Sequence, residues 1–276
     1  MTGKLVCIVQ ARLNSSRLPG KVLKPLGDQS VLSHVIHRCR AIGGVDTVVV
    51  AAVDDPAEAP VAELAEALGA PVVKGPETDV LARYHQAADA HGADHIMRVT
   101  ADCPILDPAI CTDLVTIYHA HRPDHACLVG WPHGINCELF PRRVLDEMHR
   151  TATRPEEREH VTLWIARNRD RRRVRVRPRS TDNFTRRYRL TLDYAEDYAV
   201  LSRLAELMGP AFNTANCRDL VAMMNAYPDL AQLNAAVGRD WQKRTAAIYA
   251  AAADADSHAD DAAMDDGLTE VAIEAP

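Results

Sequence analysis

An α/β fold, with a mostly parallel Rossmann-like sheet and helices on both faces, is predicted by three observations. Apolar runs alternate with amphipathic stretches along the chain, giving a βαβα rhythm. The first run, Leu5 to Val9, is continuously apolar, as strands buried on both faces are. The 276 residues, 47% hydrophobic and 25% charged, suffice for one sizeable core.

Each element follows from local pattern. Leu5 to Gln10, Thr47 to Val53, Pro71 to Val73 and His95 to Thr100 are predicted strands, separated by helices at Val31 to Ile42, Val61 to Leu68 and Val80 to His91. In the first helix Val31, Leu32, Val35, Ile36 and Cys39 share one face. Right-handed crossovers then place helices on both sides of a parallel sheet. Beyond Pro104 the pattern predicts a helix at Ala109 to His121, a strand at Ala126 to Trp131, a helix at Glu156 to Asn168, strands at Val174 to Val176 and Arg189 to Leu192, and a helix from Glu196 to Met208. Asn216 to Ala252 reads as helical, interrupted at Pro228 and Gly238, with Leu220, Met223, Met224 and Leu230 as a docking surface. The expected organisation is a body at 1–209, a helical extension packed on it at 210–250, and a disordered acidic tail at 251–276.

Composition removes several function classes. Eight acids and no Lys or Arg lie in the tail, so the net charge of -6 belongs to it; elsewhere 30 acids face 32 bases. Seven cysteines without a Cys-x-x-Cys argue against a disulfide framework or zinc knuckle and suit a reducing cytoplasm. No signal segment is evident, and no run approaches the roughly eighteen apolar residues of a membrane span, so a cytoplasmic protein without membrane partners is expected.

The loop after the first strand carries Arg12, Arg17 and Lys21, at the carboxyl edge where open α/β sheets bind ligands. Arginine bridges phosphate oxygens bidentately and lysine supplies a mobile point charge, so these residue types suit a polyphosphate; a merely solvated surface loop is the alternative. The loop is not a Walker A motif, because Ser15 stands where a glycine is needed and Val22 follows Lys21, and no Gly-x-Gly-x-x-Gly is present. Asp102 and Asp193 each follow a predicted strand at the same edge; Asp193 also reads as a helix N-cap, with Glu196 and Asp197 favouring the helix dipole.

The pattern Gln10-Ala-Arg12-x-x-Ser-Ser-Arg17-Leu-Pro-Gly-Lys21 resembles the opening of cytidylyltransferases related to CMP-ulosonic acid synthetases, in particular the branch of spore coat polysaccharide biosynthesis protein F. The resemblance spans residues 4 to 205 and continues in order through Asp79-Val-Leu-Ala-Arg83-Tyr84, Arg98-Val-Thr-Ala-Asp102-Cys-Pro104, Arg158-Glu-His160-Val-Thr162 and Arg189-Leu-Thr-Leu-Asp193. It implies a sheet of the nucleotide-diphospho-sugar transferase type. It also implies magnesium-dependent transfer of CMP from CTP to an acidic acceptor, either a nonulosonic or octulosonic sugar acid or a small phosphonate acid, in biosynthesis of a polysaccharide or natural product.

By the same resemblance Arg12, Arg17, Lys21 and Asp102 are catalytic, and Asp102 and Asp193 hold magnesium. Gln10, Ala11, Arg12, Arg17, Lys21, Asp79, Arg83, Thr100 and Ala101 bind nucleotide, and Arg98, Glu138, Arg158 and His160 border the acceptor. A homodimer is implied as well. Two departures stand out. Asn14 replaces the usual loop glycine, being the residue that best tolerates a left-handed backbone, and Asn136 replaces an aspartate.

Other readings stay open: a non-catalytic nucleotide-binding relative in a glycan pathway, or a nucleotidyltransferase using another NTP. Asp54-Asp55 is not the Asp-x-Asp pair of manganese glycosyltransferases. The histidines His34 and His37, and His119, His121 and His125, read as ordinary placements rather than metal sites. Arg173, Arg175 and Arg177 alternate with Val174 and Val176 as on a half-exposed strand, without the aromatics that stack nucleic-acid bases.

Overall fold

Strand β1 (Leu5–Gln10) lies in the interior of the sheet, between two parallel neighbours, with its side chains buried on both faces. The computed structural model describes residues 3–168, 170–179, 184–254 and 267–274. A hairpin of β2 (Pro25–Leu26) and β3 (Gln29–Ser30) leads into α1 (Val31–Arg40), capped by Ser30. There follow β4 (Thr47–Val53), α2 (Ala59–Ala67), β5 (Val72–Gly75), α3 (Val80–Ala90), β6 (His95–Thr100), α4 (Pro108–His121), β7 (His125–Leu128) and β8 (Glu138–Pro141). Then come α5 (Arg142–Thr151), α6 (Pro155–His160), α7 (Leu163–Arg167), β9 (Arg173–Pro178), α8 (Phe184–Arg187), α9 (Ala195–Met208), α10 (Cys217–Ala226), α11 (Pro228–Leu233), α12 (Ala235–Asp254) and β10 (Leu268–Ile273).

The eight-stranded sheet runs β10-β9-β7-β8-β6-β1-β4-β5, and β8 alone is antiparallel to its neighbours. Strand alternation divides the core into two clusters. Cys7, Val9, Val50 and Met97 face α1, α4, α9 and α10, whereas Val6, Ile8, Ala51 and Ile96 face α3, α5 and α7. Tyr84 of α3 donates its hydroxyl to the carbonyls of Ile8 and Val99, fixing that helix across β1 and β6.

Several expectations are corrected. The helix expected over Glu156 to Asn168 is two short helices, parted at Val161, whose φ of 53° no helix allows. Arg189 to Leu192 make no strand; only Arg189 bridges to His133, and the segment's polar groups serve the site instead. The strand expected to reach Trp131 stops at Leu128, and β8 and α5 occupy a region where neither was expected. The C-terminal helices part at Tyr227 and Asn234, not at Gly238, which lies inside α12. Leu220, Met224 and Leu230 are buried against the body, as expected of a docking surface.

The acidic tail also departs from expectation. Its Leu268–Ile273 pair in parallel with β9, Val271 and Ile273 pack on the core, and Glu270 and Glu274 meet Arg177 and Arg179. The remaining tail positions lie outside the described residues. The arginine stripe is therefore a sheet strand, and its Arg177 faces an acid of the chain's own tail.

Between β7 and β8 a loop crosses the carboxyl edge of the sheet. Its Gly134 has φ 114°, and an added Cβ would stand 2.4 Å from the carbonyl oxygen of Leu190. Gly134→Ala is expected to destabilise the fold by about 2–3 kcal/mol, lowering Tm by about 4–10 °C in a thermal melt; an unchanged Tm would show that the two backbones need not approach.

Candidate active site

Lys21 opens a short 3-10 turn, Lys21–Leu23, immediately after the cationic loop. Gly20 at φ 68° donates its amide to the Leu13 carbonyl and closes the loop on itself. The turn directs the Lys21 side chain inward, where it is 10% exposed. Its Nζ donates to Asp102 Oδ2 at 2.8 Å, to Asp193 Oδ1 at 2.9 Å and to the Leu192 carbonyl at 2.8 Å. Two carboxylates from distant segments thus converge on one ammonium.

Backbone bonds hold the two aspartates side by side. Leu192 N and Thr191 Oγ1 both donate to the Asp102 carbonyl, and Thr100 Oγ1 donates to Asp102 Oδ1. Asp193 takes two further cations, Arg17 Nη2 at 2.6 Å and Arg189 Nη2 at 3.1 Å. Burial opposes ionisation of both carboxyls, but Lys21 overrides it at Asp102, and Lys21 with Arg17 overrides it at Asp193, so both sit below the usual carboxylate range. Burial likewise opposes the charge on Lys21, and the two aspartates raise it nonetheless.

Asp193 is not the helix cap. Asp197, wholly buried, accepts from the amides of Asp193 and Tyr194 and binds Arg189 through both oxygens. Asn234 of the C-terminal extension donates to that same carboxylate and to the Arg189 carbonyl. Arg189 Nη1 in turn donates to His133 Nδ1 at 3.0 Å, and the His133 ring stacks on Trp241 of α12 at 3.8 Å. Burial and the Arg189 charge push His133 down to about 4, keeping the imidazole neutral. His133 carries no signal in the sequence, and Arg189, although it opens the Arg189-Leu-Thr-Leu-Asp193 block, is given a role only by partners in other elements.

The nucleotide-side residues occupy the same edge. Gln10 ends β1 beside Thr100 of β6, and its buried Oε1 has no hydrogen-bond partner. Arg83, 2% exposed, leaves its Nε and Nη1 unpartnered and lies within electrostatic range of Arg12. Ala11 and Ala101 are buried, Ala11 N and Ala101 N donating to neighbouring strand carbonyls. Arg12 is exposed and makes no ion pair among the described residues. Buried polar atoms without partners cost stability unless a ligand satisfies them, so Gln10 and Arg83 suit a polar ligand.

Asn14 does not adopt the left-handed backbone expected of it, since Arg122 and Val161 alone among described non-glycine residues have positive φ. Its amide and that of Leu13 are instead held by the buried carboxylate of Glu58. These two amides therefore face a carboxylate and are not open to a ligand. Glu58 was missed because a lone glutamate after Asp54-Asp55-Pro56 carries no local signal.

Of the residues expected at the acceptor, three are held in ion pairs. Arg98 and Glu138 are cross-strand partners, 2.7 Å apart, and Glu138 also takes His125 and Thr162. Burial opposes the Glu138 charge, but Arg98 and His125 draw its carboxyl down to about 2. Arg158 binds Asp79, which caps α3 through the Ala82 amide, while His160 is exposed. A cavity of about 530 Å3 lined by His95, Tyr118, Arg122, Arg143 and Arg172 lies at the opposite edge of the sheet and contains none of these residues.

Comparison with known proteins gives the family. The cytidylyltransferase family model matches residues 6–219, and the chain belongs to that family. It is similar to the spore coat polysaccharide biosynthesis protein SpsF of Bacillus subtilis (strain 168), 30% identical over 232 residues, covering 82% of this chain and 96% of that protein. Among solved structures it is similar to a cytidylyltransferase from Leptospira borgpetersenii, with TM-score 0.76 and 26% identity over 83% of this chain and 97% of the other. It shares its fold with a CMP:2-keto-3-deoxy-manno-octonic acid synthetase complexed with CTP, at TM-score 0.56 and 20% identity over 75% of this chain and 99% of the other.

Two outcomes test the site's construction. Removing the clamp in Glu58→Ala forfeits hydrogen bonds to a charged group worth about 1.5–3 kcal/mol, so hydrogen exchange at the Leu13 and Asn14 amides should quicken at least tenfold; unchanged protection would remove Glu58 from loop organisation. His133 binds a proton in the unfolded chain below its ordinary value of 6.5 and in the fold only below about 4. Stability should therefore fall as pH drops through that window, and less steeply in His133→Asn, as read by urea unfolding at several pH values.

Proposed function

We propose that this protein is a magnesium-dependent CTP:acid cytidylyltransferase acting at the Lys21, Asp102 and Asp193 cluster. The observation that carries the proposal is the single Lys21 ammonium shared by two carboxylates, Asp102 just past β6 and Asp193 in the loop before α9, with Arg17 on the same Asp193 oxygen. The donor chemistry fits magnesium, which takes one or two hard carboxylates and completes its shell with phosphate oxygens and water. Among the described residues no group of three or more His, Cys, Asp or Glu forms a metal site, so the substrate's phosphates would supply the remaining oxygens. When bound, the metal would neutralise phosphate charge and polarise the α-phosphate.

This chain's own groups then bind and orient. Gln10 and Arg83 offer unsatisfied polar atoms to the nucleotide. The acceptor hydroxyl oxygen attacks the α-phosphorus, the bond from that phosphorus to the bridging oxygen of the β-phosphate breaks, and pyrophosphate departs while the hydroxyl proton passes to solvent. Arg12, Arg17 and Lys21 face the charge that develops on pyrophosphate. Lys21 exchanges a carboxylate for a phosphate oxygen at that stage, a trade between anions that costs it no charge.

The acceptor in this reading is a small acid, such as an octulosonic or nonulosonic sugar acid or a phosphonate acid, in assembly of a polysaccharide or natural product. The family membership and the likeness to the Bacillus protein support that class. A homodimer belongs to the same reading and is tested by sedimentation equilibrium. No helix among the described residues is long and apolar enough to cross a membrane.

Asp102→Asn and Lys21→Ala are expected to fold, as judged by circular dichroism, yet to lose on the order of a hundredfold to a thousandfold in pyrophosphate release from CTP. Chelation by EDTA should abolish the same activity and added magnesium restore it. A variant that keeps half its rate would remove that residue from the mechanism.

A further inference from the structure

We infer that helix α12 supplies the acceptor subsite, with Lys243 and Arg244 receiving the acid group of a polyhydroxy acid; the inference rests on the cytidylyltransferase reading. A cavity of about 350 Å3 opens between Tyr194 and α12, lined also by Val237, Asp240, Lys243 and Arg244. Its volume falls in the range of small-molecule sites. Tyr194 directly follows Asp193 in the chain, so the cavity adjoins the phosphate-binding cluster.

The wall between them is shared. Arg17 lies over the Tyr194 ring at 5.2 Å, and Arg244 lies over it at 6.0 Å while donating to its hydroxyl at 2.6 Å. The helix is anchored to the cluster one turn earlier by Trp241, which stacks on His133 and carries Arg189 over its ring at 5.7 Å. Asn234, at the start of this segment, is buried between Arg189 and Asp197. The C-terminal extension is thus built into the site and not merely laid against the body.

Charge decides what the cavity takes. Lys21, Arg17, Arg189, Arg98 and Arg158 all have carboxylate partners. Neither Lys243 nor Arg244 has one among the described residues, although both line the cavity. Two cations outside any ion pair among the described residues can bind a carboxylate or phosphonate group, the Tyr194 ring and Val237 offer an apolar face for a carbon skeleton, and Asp240 can accept hydrogen bonds from hydroxyls. That combination fits a hydroxylated acid better than a neutral sugar or a simple fatty acid. It also leaves Arg98 free to pair with Glu138 and Arg158 to pair with Asp79.

The test combines CTP binding with acceptor kinetics on the full chain and on Lys243→Ala/Arg244→Ala. Calorimetry measures CTP affinity with magnesium, and pyrophosphate release is followed with 2-keto-3-deoxy-manno-octonic acid, N-acetylneuraminic acid and phosphonoacetate as acceptors. The expected result is a KM for the best acceptor raised tenfold or more, with kcat changed less and CTP affinity within twofold of the natural protein. An acceptor KM unchanged within twofold overturns the assignment of α12, and a parallel loss of CTP affinity overturns it by assigning the cations to the triphosphate. CTP binding by the natural protein without turnover of any of the three acids rejects the acid class while leaving the nucleotide reading intact. Absence of CTP binding sinks that reading and this inference with it.

Discussion

The site depends on one ammonium group held between two carboxylates. Lys21 reaches Asp102 across 81 residues of chain and Asp193 across 172, so the contact forms only after the sheet has aligned the carboxyl ends of β1 and β6 and the loop before α9 has docked beside them. Two buried aspartates side by side would repel each other strongly, and one of them would be driven to protonate. Lys21 between them, with Arg17 and Arg189 on Asp193, keeps both ionised. The fold thereby keeps two hard anionic carboxylates side by side, the donor chemistry on which the proposed magnesium-bound triphosphate would draw.

The supporting shell shows how that spacing is maintained. Asp197 spends its oxygens on Arg189 and on the two amides that begin α9, which frees Asp193 from capping the helix. Glu58 performs a similar service for the cationic loop by occupying the Leu13 and Asn14 amides. In both cases a buried carboxylate satisfies backbone donors, and the functional groups remain directed at the sheet edge. Removing either carboxylate would leave buried donors or cations unpaired, which costs more than the hydrogen bonds themselves.

Much of this was legible in sequence, and the exceptions have physical causes. The central strands and their helices were plain because continuous apolar runs and 3.6-residue stripes are local signals. Glu138–Pro141 was missed because a four-residue strand ending in proline has no period to measure, and α5 because Arg142–Thr151 buries only Val144, Leu145 and Met148. Gly238 reads as a helix breaker in isolation, yet α12 is held on either side of it by Asn234 and Trp241. The tail reads as disordered from its acids, but Leu268–Ile273 find an open strand edge whose arginines match Glu270 and Glu274. Arg17, Lys21, Asp102 and Asp193 stand out through their motifs, whereas Glu58, His133 and Trp241 contribute through contacts that no short pattern encodes.

The central claim is that these charges are arranged for a metal-bound cytidine triphosphate. It is tested most directly by calorimetric titration of the natural protein with CTP, UTP, ATP and GTP, each with magnesium and again in EDTA. The account predicts saturable binding of CTP in preference to the other three, weakened when the metal is removed. Binding of no nucleotide, or equal binding of all four regardless of metal, would contradict it.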